Sequence, residues 1–306
     1  MSPTRRDFLL TAAAAAAAAF ARPSFARAWQ GQQAMPVFTP LRRNIGYFTM
    51  QGGTIGYLVN SGGIAVIDSQ FPEPAKAFLA GLKERAGDRP VDLLINTHHH
   101  GDHTGGNISF RGVAKKVVSQ AKAAEHMHNP PGAQPPADQL YPDTTFTDSW
   151  SADVGDEKIS AKFYSRAHTS GDVAITFERA NVVHMGDLMF NQRHPVVDRA
   201  AGATLRGWMT AVKGAADDHA RDTQYICGHA NTGLPVVVTQ ADLVAFHAYL
   251  GAVLGFVEAQ VKAGHARAEV MAMRDPLKGF ESYGRFGAEN PREILTCAYE
   301  EVTAGA

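Results

Sequence analysis

Short apolar runs separated by glycine pairs open the folded part of the chain. Residues 47–51, 54–59 and 64–68 read as strands of a hairpin meander, because Gly52-Gly53 and Gly62-Gly63 punctuate them. Residues 74–86 switch period, with Ala75, Phe78, Leu79 and Leu82 at helical spacing. The continuous apolar runs 91–96 and 113–119 predict buried strands, and 120–128 predicts a helix. Residues 129–142 hold five prolines and predict an irregular surface loop, since proline removes backbone donors. Strand-type runs return at 146–150, 158–164, 173–177, 181–184 and 224–227, with a helix at 205–216 between the last two. The plainest helix is 239–262, whose Leu243, Phe246, Leu250, Leu254, Val257 and Val261 fall on one stripe. Residues 266–273 and 291–302 predict two more helices. Strands followed by helices, twice over, predict an α/β protein of two packed sheets with helices on the outer faces.

The first 28 residues follow a different logic. Arg5-Arg6 precedes an apolar run from Phe8 to Phe20 that contains the unbroken alanines Ala12 to Ala19, and Ala26-Arg27-Ala28 is a small-x-small cleavage site. That order of charged, apolar and small segments is an export signal, and Thr4-Arg5-Arg6-Asp7-Phe8-Leu9 resembles the twin-arginine type. Residues 1–28 are therefore expected to leave with the export machinery, and residues 29–306 to form one periplasmic or secreted domain. The apolar run is shorter than the ~20 residues of a membrane span, no later apolar stretch is expected to be long enough for one, and so no permanent anchor is expected.

Charge and composition then narrow the chemistry. The formal net charge is −1 over 306 residues. Removing the signal takes away four arginines and one aspartate and leaves the mature chain near −4. Such a chain has no basic field for nucleic acid. Two cysteines exclude a disulfide-built scaffold and a cysteine-rich zinc module. Thirteen histidines stand out against them. Directly after the strand ending at Asn96 comes Thr97-His98-His99-His100-Gly101-Asp102-His103-Thr104-Gly105-Gly106. So many imidazole and carboxylate groups in one short segment suit a metal of the zinc, iron or manganese kind. His98 and His100 lie two apart and can aim at one ion, while Asp102 and His103 lie further on and can face a second.

His98-x-His100-x-Asp102-His103 resembles the H-x-H-x-D-H signature of the metallo-β-lactamase superfamily. Further segments follow in that superfamily's order. Ile64-Ala65-Val66-Ile67-Asp68 resembles its early strand ending in Asp, and Ala167-His168-Thr169-Ser170-Gly171-Asp172 its third-motif histidine. His184-Met185-Gly186-Asp187-Leu188-Met189-Phe190 resembles the segment with a bridging Asp, and Cys227-Gly228-His229 the final Gly-His motif. The resemblance implies a four-layer αβ/βα sandwich with the site along one edge of the sheets. It implies that His98, His100 and His168 hold a first ion, Asp102, His103 and His229 a second, and that Asp187 bridges them. It implies Asp68 as an orienting group and Asp102 as the catalytic carboxylate that steers the attacking hydroxide and carries its proton. Two Zn2+ per chain are expected, with Fe or Mn as alternatives, and a small-molecule substrate carrying an ester, thioester, lactone or amide.

Departures from the pattern sharpen that expectation. The bridging position is Asp187 where the compared β-lactamases use Cys, which is similar to glyoxalase II, lactonases, arylsulfatase-like members and phosphodiesterases. Three other readings stay open: a mononuclear iron enzyme of the persulfide dioxygenase type, a β-lactamase, and a non-catalytic periplasmic metal-binding accessory protein. His99 is expected to point away from the ions, His184 to be buried near them, and His194 with Arg193 to line the pocket. His126, His128, His219, His247 and His265 are expected on the surface or as satisfied helix residues. Cys227 is expected as a buried free thiol, with a Cys227–Cys297 disulfide as the weaker alternative. The sequence leaves substrate identity and oligomeric state open.

Overall fold

The computed structural model describes residues 35–304, so the expected signal segment 1–28 lies outside the described residues. One sheet has seven strands in the order β1 (Val37–Pro40), β2 (Ile45–Thr49), β3 (Ile55–Asn60), β4 (Gly63–Ile67), β5 (Leu93–Asn96), β6 (Val117–Gln120) and β7 (Thr144–Phe146). It is antiparallel from β1 to β4 and parallel from β4 to β7. The second sheet has six strands. These are β8 (Ser149–Val154), β9 (Glu157–Lys162), β10 (Ala174–Phe177), β11 (Val182–Asn191), β12 (Gln224–Ala230) and β13 (Val237–Val238), in spatial order from β13 to β8. The β11–β12 pair is parallel. Helix α1 (Pro72–Ala86) connects β4 to β5, and the short α2 (Gly101–Thr104) runs into a 3₁₀ segment, Gly105–Phe110. Helix α3 (Ala121–His128) follows β6. Helices α4 (Leu205–Asp217), α5 (Gln240–Lys262), α6 (Arg267–Ala272) and α7 (Ile294–Ala304) follow the β11 half.

Strand alternation explains why four layers form. In β4, Ala65 and Ile67 face the second sheet, where they join Leu58, Ile95, Ile159, Ile175, Phe177 and Ile226. Ile64 and Val66, one residue out of phase, face α1 and pack with Phe48, Phe78, Leu82 and Phe110. The outer face of the second sheet carries Val183, Met185 and Leu188 against Trp208 of α4, Phe246 and Leu250 of α5, and Ile294 of α7. Each central strand is therefore buried on both faces, which is why its sequence is a continuous apolar run. The αβ/βα sandwich expected from the motifs is the fold observed.

Three local readings are corrected. The run 146–150 is not one strand: β7 ends at Phe146 and β8 begins at Ser149, and the two belong to different sheets. The strand expected at 181–184 extends to Asn191, because a bulge at Gly186, with φ 49°, lets β11 continue past its apolar run. Helix α5 is long and apolar enough to cross a membrane by length and composition, contrary to the expectation that no later stretch would be. Its Leu243, Phe246, Tyr249, Leu250 and Val257 are buried in the layer against α4 and α7.

Candidate metal centre

The site forms where strand ends of both sheets meet. β5 ends at Asn96, and its continuation carries His98, His99 and His100 into α2, with His100 at the helix cap and Asp102 and His103 within its single turn. His168 comes from the loop between β9 and β10, Asp187 from β11 just past the bulge, and His229 from β12. Glycines let these parts approach. A Cβ on Gly186 would lie 2.5 Å from Thr97 Oγ1, one on Gly228 2.0 Å from Asp187 Oδ1, and one on Gly53 2.2 Å from the His103 ring.

All seven residues singled out from the sequence converge. His98, His100, His168 and Asp187 form one group and Asp102, His103 and His229 another, each with its potential ligand atoms mutually within 4.8 Å. In the first group His100 Nδ1 lies 3.2 Å from His98 Nε2 and 2.8 Å from His168 Nε2. In the second, His229 Nε2 lies 3.1 Å from Asp102 Oδ2 and 3.4 Å from His103 Nε2. Asp187 stands between them: Oδ2 is 3.4 Å from His168 Nε2, and Oδ1 is 3.0 Å from His103 Nε2 and 3.4 Å from His229 Nε2. His99 sits outside this set, with its ring against those of His100 and His126.

These spacings fit a metal. Donors about 2.0–2.1 Å from a tetrahedral ion lie roughly 3.3 Å from one another. The buried Asp187 Oδ1 has no aligned hydrogen-bond donor although imidazole nitrogens stand close by, so its lone pairs are free for an ion. The outward nitrogens complete the pattern. His98 Nδ1 meets Thr97 Oγ1 at 3.0 Å, His100 Nε2 meets Asp198 Oδ2 at 2.8 Å, His103 Nδ1 meets Asp68 Oδ2 at 2.7 Å, and His168 Nδ1 meets the Val196 carbonyl at 2.7 Å. Each partner oxygen can hold a proton on the outward nitrogen and leave the inward one bare, the arrangement of a metal-binding histidine.

Charge follows from the same geometry. Burial alone would raise the Asp187 and Asp102 carboxyls, but His229 and His103 outweigh it and hold both below the usual carboxylate range. Burial opposes charge on His229 as well, yet Asp187 and Asp102 lift it to about 9, and with Asp68 they raise His103. His98 and His100 go the other way, because burial and neighbouring imidazoles disfavour their protonation. The metal-free centre thus favours charge on His229 and His103 and disfavours it on His98 and His100.

Asp68 occupies a left-handed backbone position, φ 62°, and is fully buried. Its carboxylate accepts from Thr97 N at 2.8 Å, Thr97 Oγ1 at 2.7 Å and His103 Nδ1, so it ties the motif loop to β4 as well as orienting an imidazole. His184 is buried beside the centre, where its Nε2 donates to the Thr54 carbonyl and its Nδ1 accepts from Gly186 N. Cys227 and Cys297 are both free and buried, so the disulfide alternative is not what the structure has. The Cys227 thiol donates to the His229 carbonyl, and burial pushes it up to about 12. His194 pairs with Glu293 at 2.9 Å. Sequence reasoning missed Asp198 and Val196, which lie in an irregular loop and signal nothing by composition.

Several known proteins are similar to this chain over part of its length. Residues 131 in length are 31% identical to hydroxyacylglutathione hydrolase of Methylococcus capsulatus, over 42% of this chain and 44% of that protein, so the chain spans under half the length of that relative. A segment of 176 residues is 25% identical to metallo-beta-lactamase type 2 of Elizabethkingia meningoseptica, over 56% of this chain and 67% of that one. The solved metallo-beta-lactamase from Pontibacter korlensis superposes with a TM-score of 0.59 at 19% identity, over 71% of this chain and 99% of that one, which shows a shared fold. Residues 50–233, more than half of the chain, match the metallo-beta-lactamase superfamily model, and the chain belongs to that superfamily.

Proposed function

We propose that this protein is an exported dinuclear metal-dependent hydrolase that cleaves an ester, thioester, lactone or amide. The observation that carries the proposal is the position of Asp187, whose two oxygens face the two ligand groups separately. His98, His100 and His168 would hold the first ion, and Asp102, His103 and His229 the second, with Asp187 between them. When bound, a pair of zinc-class ions supplies a water acidified to near neutrality and polarises the carbonyl under attack.

The chain's own residues do the rest. Asp102 has a side chain 22% exposed, more open than its neighbours in the centre, and it faces His229. Its Oδ2 faces the second ligand group, so its other oxygen would take the proton and return it to the departing group. Thr97, Asp68, Asp198 and Val196 hold the imidazoles in one orientation, so they need not reorganise during turnover. The un-ionised, hydrogen-bonded Cys227 supports a carboxylate bridge in place of a thiolate. That favours an ester, thioester, lactone or open-chain amide over a β-lactam.

Export is supported by Arg5-Arg6, the apolar run and Ala26-Arg27-Ala28. The exported chain would begin at Trp29, which intact mass checks directly. The function is tested on zinc-loaded protein with lactone, thioester, phosphodiester and β-lactam substrates, beside His98→Ala and Asp187→Ala. Turnover of the lactone or the thioester by the wild type and none by either variant is expected. One iron per chain with oxygen uptake on a persulfide, or full activity in either variant, would overturn the proposal.

A further inference from the structure

The loop after β11 does more than leave the strand. Val196 gives its carbonyl to His168 Nδ1 at 2.7 Å, and Asp198 N donates to the His168 carbonyl at 3.0 Å. Asp198 itself, buried to 1% exposure, takes His100 Nε2 at 2.8 Å. Two of the three imidazoles of the first group are therefore oriented by residues 196–198. This loop has no regular structure of its own beyond the 3₁₀ turn Arg199–Ala201, so something must hold it.

The holder is the dipeptide Arg292-Glu293 just ahead of α7, far beyond the superfamily match at 50–233. Arg292 Nη2 donates to Asp198 Oδ2 at 2.8 Å, the same oxygen that receives His100. The Arg292 carbonyl accepts from Val197 N at 3.1 Å, and Val196 bridges Glu293 in antiparallel fashion. The Glu293 carboxylate, on a residue 6% exposed, reaches His194 at 2.9 Å. Backbone and side chain together stitch the C-terminal segment to the loop that orients His100 and His168.

We propose that Arg292-Glu293 is a positioning brace for the first metal, resting on the dinuclear reading above. Arg292 fixes the Asp198 carboxylate, which keeps the proton on His100 Nε2 and presents Nδ1 inward. The backbone pairing fixes the Val196 carbonyl, which does the same for His168 and presents Nε2. Loss of an outer partner of this kind typically lowers metal affinity about 10–100-fold. The Arg292 side chain is 40% exposed, so shortening it opens no core cavity.

The test is a Zn2+ titration of the full mature chain against a chromophoric chelator, for wild type, Arg292→Gln and Arg292→Lys. Nitrogen-15 spectra of the metal-free proteins report the histidine tautomers in parallel. Arg292→Gln should weaken one of the two ions about 10–100-fold, leave the other within about twofold, and lose the defined His100 tautomer. Arg292→Lys, which keeps a cation against Asp198, should recover the greater part of that loss. Unchanged affinities in Arg292→Gln would overturn the brace, as would equal weakening of both ions alongside a lower metal-free melting temperature. Should Arg292→Gln fail to fold, Arg292→Met takes its place in the titration, with the same weakening of one ion and the same loss of the His100 tautomer expected, and wild-type values throughout overturning the brace. A wild-type protein that binds no ion would instead overturn the dinuclear reading itself.

Discussion

Replacing Asp68 by Asn keeps shape and backbone but reverses one proton. The position is left-handed, φ 62°, which Asn tolerates as well as Asp, so the chain trace need not move. Asn Oδ1 can still accept from Thr97 N, as Asp68 Oδ1 does at 2.8 Å. The amide nitrogen, however, takes the place of Oδ2, which now receives His103 Nδ1 at 2.7 Å. An amide there donates, so His103 must accept through Nδ1 and carry its proton on Nε2, the atom that faces His229 and Asp187. A protonated Nε2 cannot ligate. The expected loss of affinity for the second ion is about 10–100-fold, or ~1.4–2.8 kcal/mol. The metal-free fold loses two bonds to a charged group, from His103 Nδ1 and Thr97 Oγ1, each worth about 1.5–3 kcal/mol. Isothermal titration with Zn2+ after complete chelation measures the first quantity, and thermal melts of the metal-free proteins measure the second. Two ions bound by Asp68→Asn with wild-type affinity would refute the tautomer argument.

Three more outcomes follow from the same geometry. Metal-free His229, lifted to about 9, and the raised His103 both carry protons at neutral pH, so loading the centre should release close to two protons per chain near pH 7. Both folded pKa values lie above the ordinary imidazole value of about 6.5, so their contribution is full below that pH, and the His229 part is lost as pH climbs through about 9. The metal-free melting temperature should fall over that window, and a flat profile would contradict the charge assignment. Gly228→Ala pushes a methyl to 2.0 Å from Asp187 Oδ1 and 2.9 Å from the Gly186 backbone, so elemental analysis should find at least one ion lost, at a folding cost of about 1–3 kcal/mol. Trp208→Ala empties a fully buried site whose Nε1 donates to the Leu188 carbonyl and whose ring lies against His168 and Phe190. Denaturant unfolding should show a loss of about 3–5 kcal/mol, and less than 1 would mean this layer does not support the site.

The chemistry was more legible in the sequence than its support. His98, His100, Asp102 and His103 announce themselves because ionisable groups directly after a buried strand have no packing use. His168, Asp187 and His229 needed the family's motif order, since each stands alone on its own element. The layers were legible because strands buried on both faces leave continuous apolar runs. The boundary between the sheets was not, because a period of two says which face a residue takes and not which sheet its strand joins. Hence 146–150 read as one strand although a bend at Thr147-Asp148 separates β7 from β8. Asp198 was invisible for another reason: it meets His100 across 98 residues, from a loop whose shape is set by Arg292 and Glu293. Such long-range partners are fixed by tertiary packing and leave no local pattern.

The central claim is that His98, His100, His168, Asp102, His103, His229 and Asp187 hold two ions with Asp187 between them. Elemental analysis of the mature protein, purified without chelator and compared with Asp187→Ala, tests it most directly. The account predicts close to two zinc-class ions per chain in the wild type and a clear loss of metal in the variant. A single iron per chain, or an Asp187→Ala protein that keeps the full wild-type complement, would contradict it.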